Sequence, residues 1–85
     1  MKSILLVDDE PQLLRALART LQPFSAAWEV TTASNGVDAL RLIRGKSFDL
    51  LITDLLMPDQ DGLGTISEVR KSWPAMKIIA MTGGG

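Results

Sequence analysis

Apolar runs and helix-spaced stripes alternate along the chain. Residues Ile4-Leu5-Leu6-Val7 form a continuous aliphatic run, as expected of a strand buried on both faces. Pro11 suits the first turn of a helix, and Leu13, Leu14, Leu17 and Leu21 then recur at helical spacing. Arg15 and Arg19 turn outward, and Pro23 ends that helix. Residues 28–32, Trp-Glu-Val-Thr-Thr, alternate as a half-exposed edge strand does. Ser34 or Asn35 can cap a second helix with Val37, Leu40 and Ile43 on its core side and Gly45 as its stop. Residues 48–53 read as another strand, ending at Asp54. Residues 57–62 have loop chemistry, and Asp59 and Asp61 read as loop residues beside Pro58 and Gly62. Leu63, Ile66 and Val69 mark a third helix, stopped by Trp73-Pro74. A fourth strand, residues 77–81, precedes Thr82 and three glycines. Trp28 and Trp73 read as packing residues.

The order β-α-β-α-β-α-β with short links specifies a parallel sheet with right-handed crossovers. The alternating second strand belongs on an edge, and the first and third are interior, so the expected strand order is 2-1-3-4. That order puts a topological switch point between strands one and three. The fourth strand is as continuously apolar as an interior strand, yet no further strand follows it in the sequence. The chain therefore reads as cut short, with an apolar edge that is a template for association.

Composition narrows the chemistry. Eighty-five residues make one small domain, and a hydrophobic fraction of 46% is ample for a core. Net charge is -1 without a basic stripe, so nucleic-acid binding by this segment is not expected. Cysteine and histidine are both absent, which excludes disulfides, thiolate metal sites and the commonest general base. The N-terminal apolar run is too short for a signal peptide or a membrane span, so the expected location is cytoplasmic.

What remains is carboxylate. Asp8 and Asp9 follow the first strand and Asp54 follows the third. In a parallel sheet those ends share one edge, so the three acids can converge. Crowded carboxylates repel, and a hard divalent cation with oxygen ligands is the usual remedy. A magnesium site with a phosphate-bearing partner is the first hypothesis. Asp54 could itself attack phosphorus to form an aspartyl phosphate. Asp8 and Asp9 are placed to hold the ion, and the Leu56 carbonyl could add a ligand. The Thr82 hydroxyl and the Gly83 backbone N–H could donate to phosphoryl oxygens. The plainer alternative is that Asp8, Asp9 and Glu10 only cap the first helix, since a lone Asp after a strand is most often a turn former.

Three segments together carry a family resemblance: Val7-Asp8-Asp9-Glu10, the block from Asp54 through Met57-Pro58 to Asp61-Gly62, and Met81-Thr82-Gly83. The chain resembles the receiver domains of two-component response regulators over its whole length. The resemblance implies a flavodoxin-like three-layer α/β/α fold, here without the family's fifth strand and last two helices. Residues 1–85 would be the N-terminal portion of one receiver domain, with no output domain in this chain. It further implies that Asp54 accepts a phosphoryl group from a histidine kinase or phosphotransfer protein. Asp9 would bind Mg2+ directly, Asp8 through water, and Leu56 through its carbonyl, with Thr82 as the switch hydroxyl. Pro58 and Gly62 would shape the loop after the acceptor.

The departures from the family also matter. The family's lysine and switch aromatic on strand five have no counterpart here, and Gln60 stands where an apolar residue is common. Signal output is therefore expected to be impaired. Leu56 cannot orient a water, so a phosphorylated chain should hydrolyse slowly, and Leu56→Asn should speed it. The expected role is a phosphoacceptor signalling module, not an enzyme, though capable of self-catalysed, Mg2+-dependent phosphorylation. The alternative is an association or domain-swapping module, a homodimer through the fourth strand, without phosphotransfer. A phosphatase would need a second acid at Leu56, and a nucleotide-binding loop would need glycines where Asp8, Asp9 and Glu10 stand.

Overall fold

The computed structural model describes residues 2–24, 26–55 and 62–81, and their side chains except at 62 and 63. Among the described residues four strands and three α-helices alternate: β1 (Lys2–Val7), α1 (Pro11–Leu21), β2 (Trp28–Ala33), α2 (Gly36–Gly45), β3 (Leu50–Asp54), α3 (Gly62–Ser72) and β4 (Lys77–Met81). All pairings are parallel, and the strand order is β2-β1-β3-β4, as the strand character predicts. A short 3-10 turn at Gln22–Phe24, which holds Pro23, follows the end of α1.

Each sheet face has its own core. Leu5, Val7 and Leu51 pack with Ala39, Ile43, Phe48 and Val69, so α2 and α3 cover one side. Ile4 and Leu6 pack with Leu14 of α1 on the other, beside half-buried Leu17, Ala18, Leu21, Leu50 and Ile52. The result is the three-layer α/β/α arrangement. Residues 4–7 are all at most 3% exposed, and each such side chain stabilises the fold by about 1.5–3 kcal/mol. β1 is thus the centre of the domain.

Register is pinned at the far end from the strand-end acids. The Asp49 carboxylate accepts from the Ser3 N–H at 2.7 Å, and the Ser3 carbonyl accepts from the Asp49 N–H at 2.8 Å. The Asp49 carbonyl also accepts from the Lys77 N–H at 3.2 Å. One residue therefore ties β1, β3 and β4 at their N-terminal ends.

Several local expectations are corrected. Val37 is 62% exposed, and the buried side of α2 is instead Gly36, Ala39 and Ile43 with Leu40 partly buried. At about 100° per residue the stripe 36-39-40-43 is centred well away from position 37. Leu13 is 40% exposed because it lies on the flank of the stripe formed by Leu14, Leu17, Ala18 and Leu21. Gly45 is helical and no described glycine has positive φ, so it does not end α2 by a left-handed turn. Phe48 precedes β3 rather than opening it, though it is buried. Asn35, of the two candidates, caps α2: its side-chain oxygen accepts from the Asp38 N–H at 2.8 Å. Ile66 and Val69 are buried as expected, whereas Leu63 lies outside the described side chains.

Candidate functional site

Parallel pairing of β1 with β3 sets Val7 opposite Thr53. The next residue on each strand is therefore an acid, Asp8 beside Asp54, at the C-terminal edge of the sheet. The Asp8 N–H continues the ladder to β2 by donating to the Ala33 carbonyl at 3.2 Å. On the other side, the Leu55 N–H donates to the Met81 carbonyl at 2.9 Å, which holds the residue after Asp54 against β4. The turn into α1 then presents Asp9. One carboxylate oxygen from each of Asp8, Asp9 and Asp54 lies within 4.8 Å of the others.

Burial makes this cluster electrostatically costly. Asp8 is 1% exposed and Asp54 is 6% exposed, whereas Asp9 is partly open. The Asp8 Oδ1 accepts from the Glu10 N–H at 2.8 Å, while its Oδ2 is buried with no hydrogen-bond partner. That first bond makes Asp8 a turn former as well, so the capping reading is right about one oxygen and leaves the second unexplained. Glu10 occupies the N-cap of α1 without a side-chain bond. Burial pushes the Asp8 carboxyl above its ordinary value; the Glu10 N–H opposes this, and the negative charges of Asp54 and Asp9 add to it.

Three converging carboxylates, one of them with a buried oxygen that has no hydrogen-bond partner, are a donor set for a hard cation. Oxygen-only ligation suits Mg2+ or Ca2+ rather than a thiolate- or imidazole-seeking metal. These acids fit such an ion. Among the described residues no further acid joins the group. Leu56, Thr82 and Gly83, expected at the same edge, lie outside the described residues, as do Pro58, Asp59, Gln60 and Asp61. The sequence did not single out Thr65, which is fully buried in α3 with an unpartnered hydroxyl. A threonine on a helix carries no sequence signal that separates a buried from a solvated one. No helix among the described residues is long and apolar enough to cross a membrane.

Comparison with known proteins gives concordant matches. The response regulator receiver domain model matches residues 4–85. The transcriptional regulatory protein GlrR of Escherichia coli is 39% identical over 82 residues, 96% of this chain and 18% of that protein. The response regulator receiver protein CpdR of Brucella abortus is 35% identical over 98% of this chain and 68% of its own length. The chain thus spans under a fifth of the former and about two thirds of the latter. Among solved structures, the response regulator TrrA of Thermotoga maritima, in complex with Mg2+-BeF, is 41% identical with a TM-score of 0.87. The match covers 96% of this chain and 70% of TrrA. TrrA in complex with the histidine kinase ThkA matches at 40% identity and a TM-score of 0.88, over 100% of this chain and 72% of that one.

Proposed function

The chain belongs to the response regulator receiver domain family, and from that premise we propose that Asp54 accepts a phosphoryl group, with Mg2+, from a histidine kinase or phosphotransfer protein. Receiver domains act in two-component signalling and are not enzymes in the ordinary sense. The observation that carries the reading is the convergence of the Asp8, Asp9 and Asp54 carboxylates, with one Asp8 oxygen buried and without a hydrogen-bond partner.

Asp8, Asp9 and Asp54 would hold the ion, with the Leu56 carbonyl as a further ligand. Bound there, Mg2+ would neutralise charge on the entering phosphoryl group and on its acceptor. The Asp54 carboxylate oxygen attacks phosphorus in line. Its new O–P bond forms as the P–N bond to the donor imidazole breaks, and the departing nitrogen keeps the electron pair. Asp8 and Asp9 need no proton in this step, which is consistent with a site without histidine. The Thr82 hydroxyl and the Gly83 N–H would donate to phosphoryl oxygens, roles that rest on the family resemblance. Small acyl phosphates would serve as donors in the same geometry, so self-catalysed phosphorylation belongs to this reading. A kinase partner is supported by the ThkA–TrrA complex, and a cytoplasmic location is part of the same proposal.

Intact-mass analysis after incubation with Mg2+ and a small acyl-phosphate donor tests the proposal. One added phosphoryl group is expected on the unaltered chain and none on Asp54→Asn. No gain by a chain whose circular dichroism remains that of a folded α/β domain would overturn it.

A further inference from the structure

Asn35 is the chain's one asparagine, and Gly36 follows it. Asparagine amides are among the thermally labile groups of a protein. A glycine in the next position has no Cβ to shield its backbone nitrogen from the amide before it. The pair lies where β2 hands over to α2, on the opposite side of the sheet from β4.

The fold holds this asparagine at three points. Its Oδ1 accepts from the Asp38 N–H at 2.8 Å, and its Nδ2 donates to the Asp38 carboxylate at 3.2 Å. Its carbonyl accepts from the Ala39 N–H at 3.1 Å, which opens the hydrogen-bond ladder of α2. The backbone is extended, with φ -160° and ψ 169°, and Gly36 is buried. Asn35 itself is partly open.

We propose that Asn35-Gly36 is a site of spontaneous deamidation whose rate is set by the α2 cap, slow while the cap is closed and fast once it opens. Hydroxide removes the Gly36 N–H proton, and the nitrogen pair attacks the Asn35 Cγ. The new N–Cγ bond closes a succinimide ring as the Cγ–Nδ2 bond breaks. The departing nitrogen takes a proton from water and leaves as ammonia. Water then adds to one of the two imide carbonyls. Cleavage of the new N–Cγ bond gives an aspartate at position 35. Cleavage of the original peptide bond gives an isoaspartate, in which the chain runs on through the side chain. One water is consumed and one ammonia released.

Each restraint on Asn35 opposes this chemistry. Ring closure needs the Gly36 nitrogen nearly eclipsed with the Asn35 Cβ, and at ψ 169° the two are staggered. Bringing Cγ to that nitrogen also draws Oδ1 from the Asp38 N–H and Nδ2 from the Asp38 carboxylate. The first turn of α2 must therefore open before the ring can form, and the reaction counts those openings. The two products differ in consequence. Aspartate keeps an acceptor for the Asp38 N–H, whereas isoaspartate adds a methylene to the backbone and removes the cap geometry.

The site is independent of phosphoryl transfer, so it stands or falls separately from the acceptor role of Asp54. Peptide mapping by mass, after incubation in mildly alkaline buffer at physiological temperature, reads the fraction converted at position 35. In strong urea the unaltered chain should convert, and Gly36→Ala at least about tenfold more slowly, a comparison that needs no fold. In buffer the unaltered chain should convert at least about tenfold more slowly than in urea. Asp38→Ala removes the acceptor for Nδ2 but keeps a backbone N–H at position 38. It should convert about threefold or more faster than the unaltered chain in buffer and equally fast in urea, while its thermal melt stays that of a folded domain. Asp38 also pairs with Arg41 on the surface, and Arg41→Ala, which loses that pair alone, should leave the rate unchanged. Equal rates for the unaltered chain and Gly36→Ala in urea overturn the site. Equal rates in buffer and urea, or an Asp38→Ala rate in buffer no faster than that of Arg41→Ala, overturn control by the cap.

Discussion

Asp8 and Asp54 stand side by side because each follows a residue of one register pair, Val7 and Thr53. The backbone ladder therefore places the two carboxylates before any side-chain interaction does. Their proximity is a property of the sheet, and its electrostatic cost is borne by β1 and β3, the best-buried strands.

That cost makes Asp8→Asn a stabilising change in metal-free buffer. The asparagine oxygen keeps the bond from the Glu10 N–H, and its amide can donate where Oδ2 now has no partner. A gain of about 1 kcal/mol at neutral pH is expected from urea denaturation. The pH dependence has a definite sign. The folded state holds the Asp8 proton more tightly than the unfolded chain, whose value is near 3.8. The favourable contribution of this group is thus complete below that value and is lost as pH rises through the higher folded value. The stability difference between Asp8→Asn and the unaltered chain should grow across that window and level off above it.

Magnesium should reverse the penalty. An ion bound only by the folded state adds about 1.4 kcal/mol when its concentration is ten times Kd. Thermal melts should therefore rise with Mg2+ for the unaltered chain. Asp9→Asn and Asp8→Asn should each abolish most of that rise, and an equal rise in all three chains would assign it to non-specific screening.

The cap of α2 gives a prediction independent of the site. Asn35→Ala removes the acceptor for the Asp38 N–H and should cost about 1 kcal/mol in chemical denaturation. Asn35→Asp, which retains an acceptor oxygen, should cost much less.

The phase of α2 can be read from two further variants. Ile43 is 3% exposed, and Ile43→Ala should destabilise by about 2–5 kcal/mol, enough to unfold a domain this small at ordinary temperature. Val37→Ser should stay within about 0.5 kcal/mol of the unaltered chain, because Val37 is 62% exposed. Comparable losses from both would restore Val37 to the core stripe.

By itself the sequence determined the alternation of strands and helices, the parallel sheet, its order and the three acids at one edge. Those features are encoded locally: the Ile4–Val7 run and the Leu50-Leu51-Ile52 run each end in an acid, and the stripes between them have helical spacing. Tertiary structure decided which side of α2 is buried, because residues 36–43 hold apolar positions on more than one side and only the sheet selects among them. It also decided that Asp49 ties three strands together, through a contact spanning 46 residues that no local pattern announces. Finally, it separated the two oxygens of Asp8, one bonded to a turn and one buried without a partner. A residue's type fixes what an atom can bond, but burial by distant elements fixes which of its bonds are made.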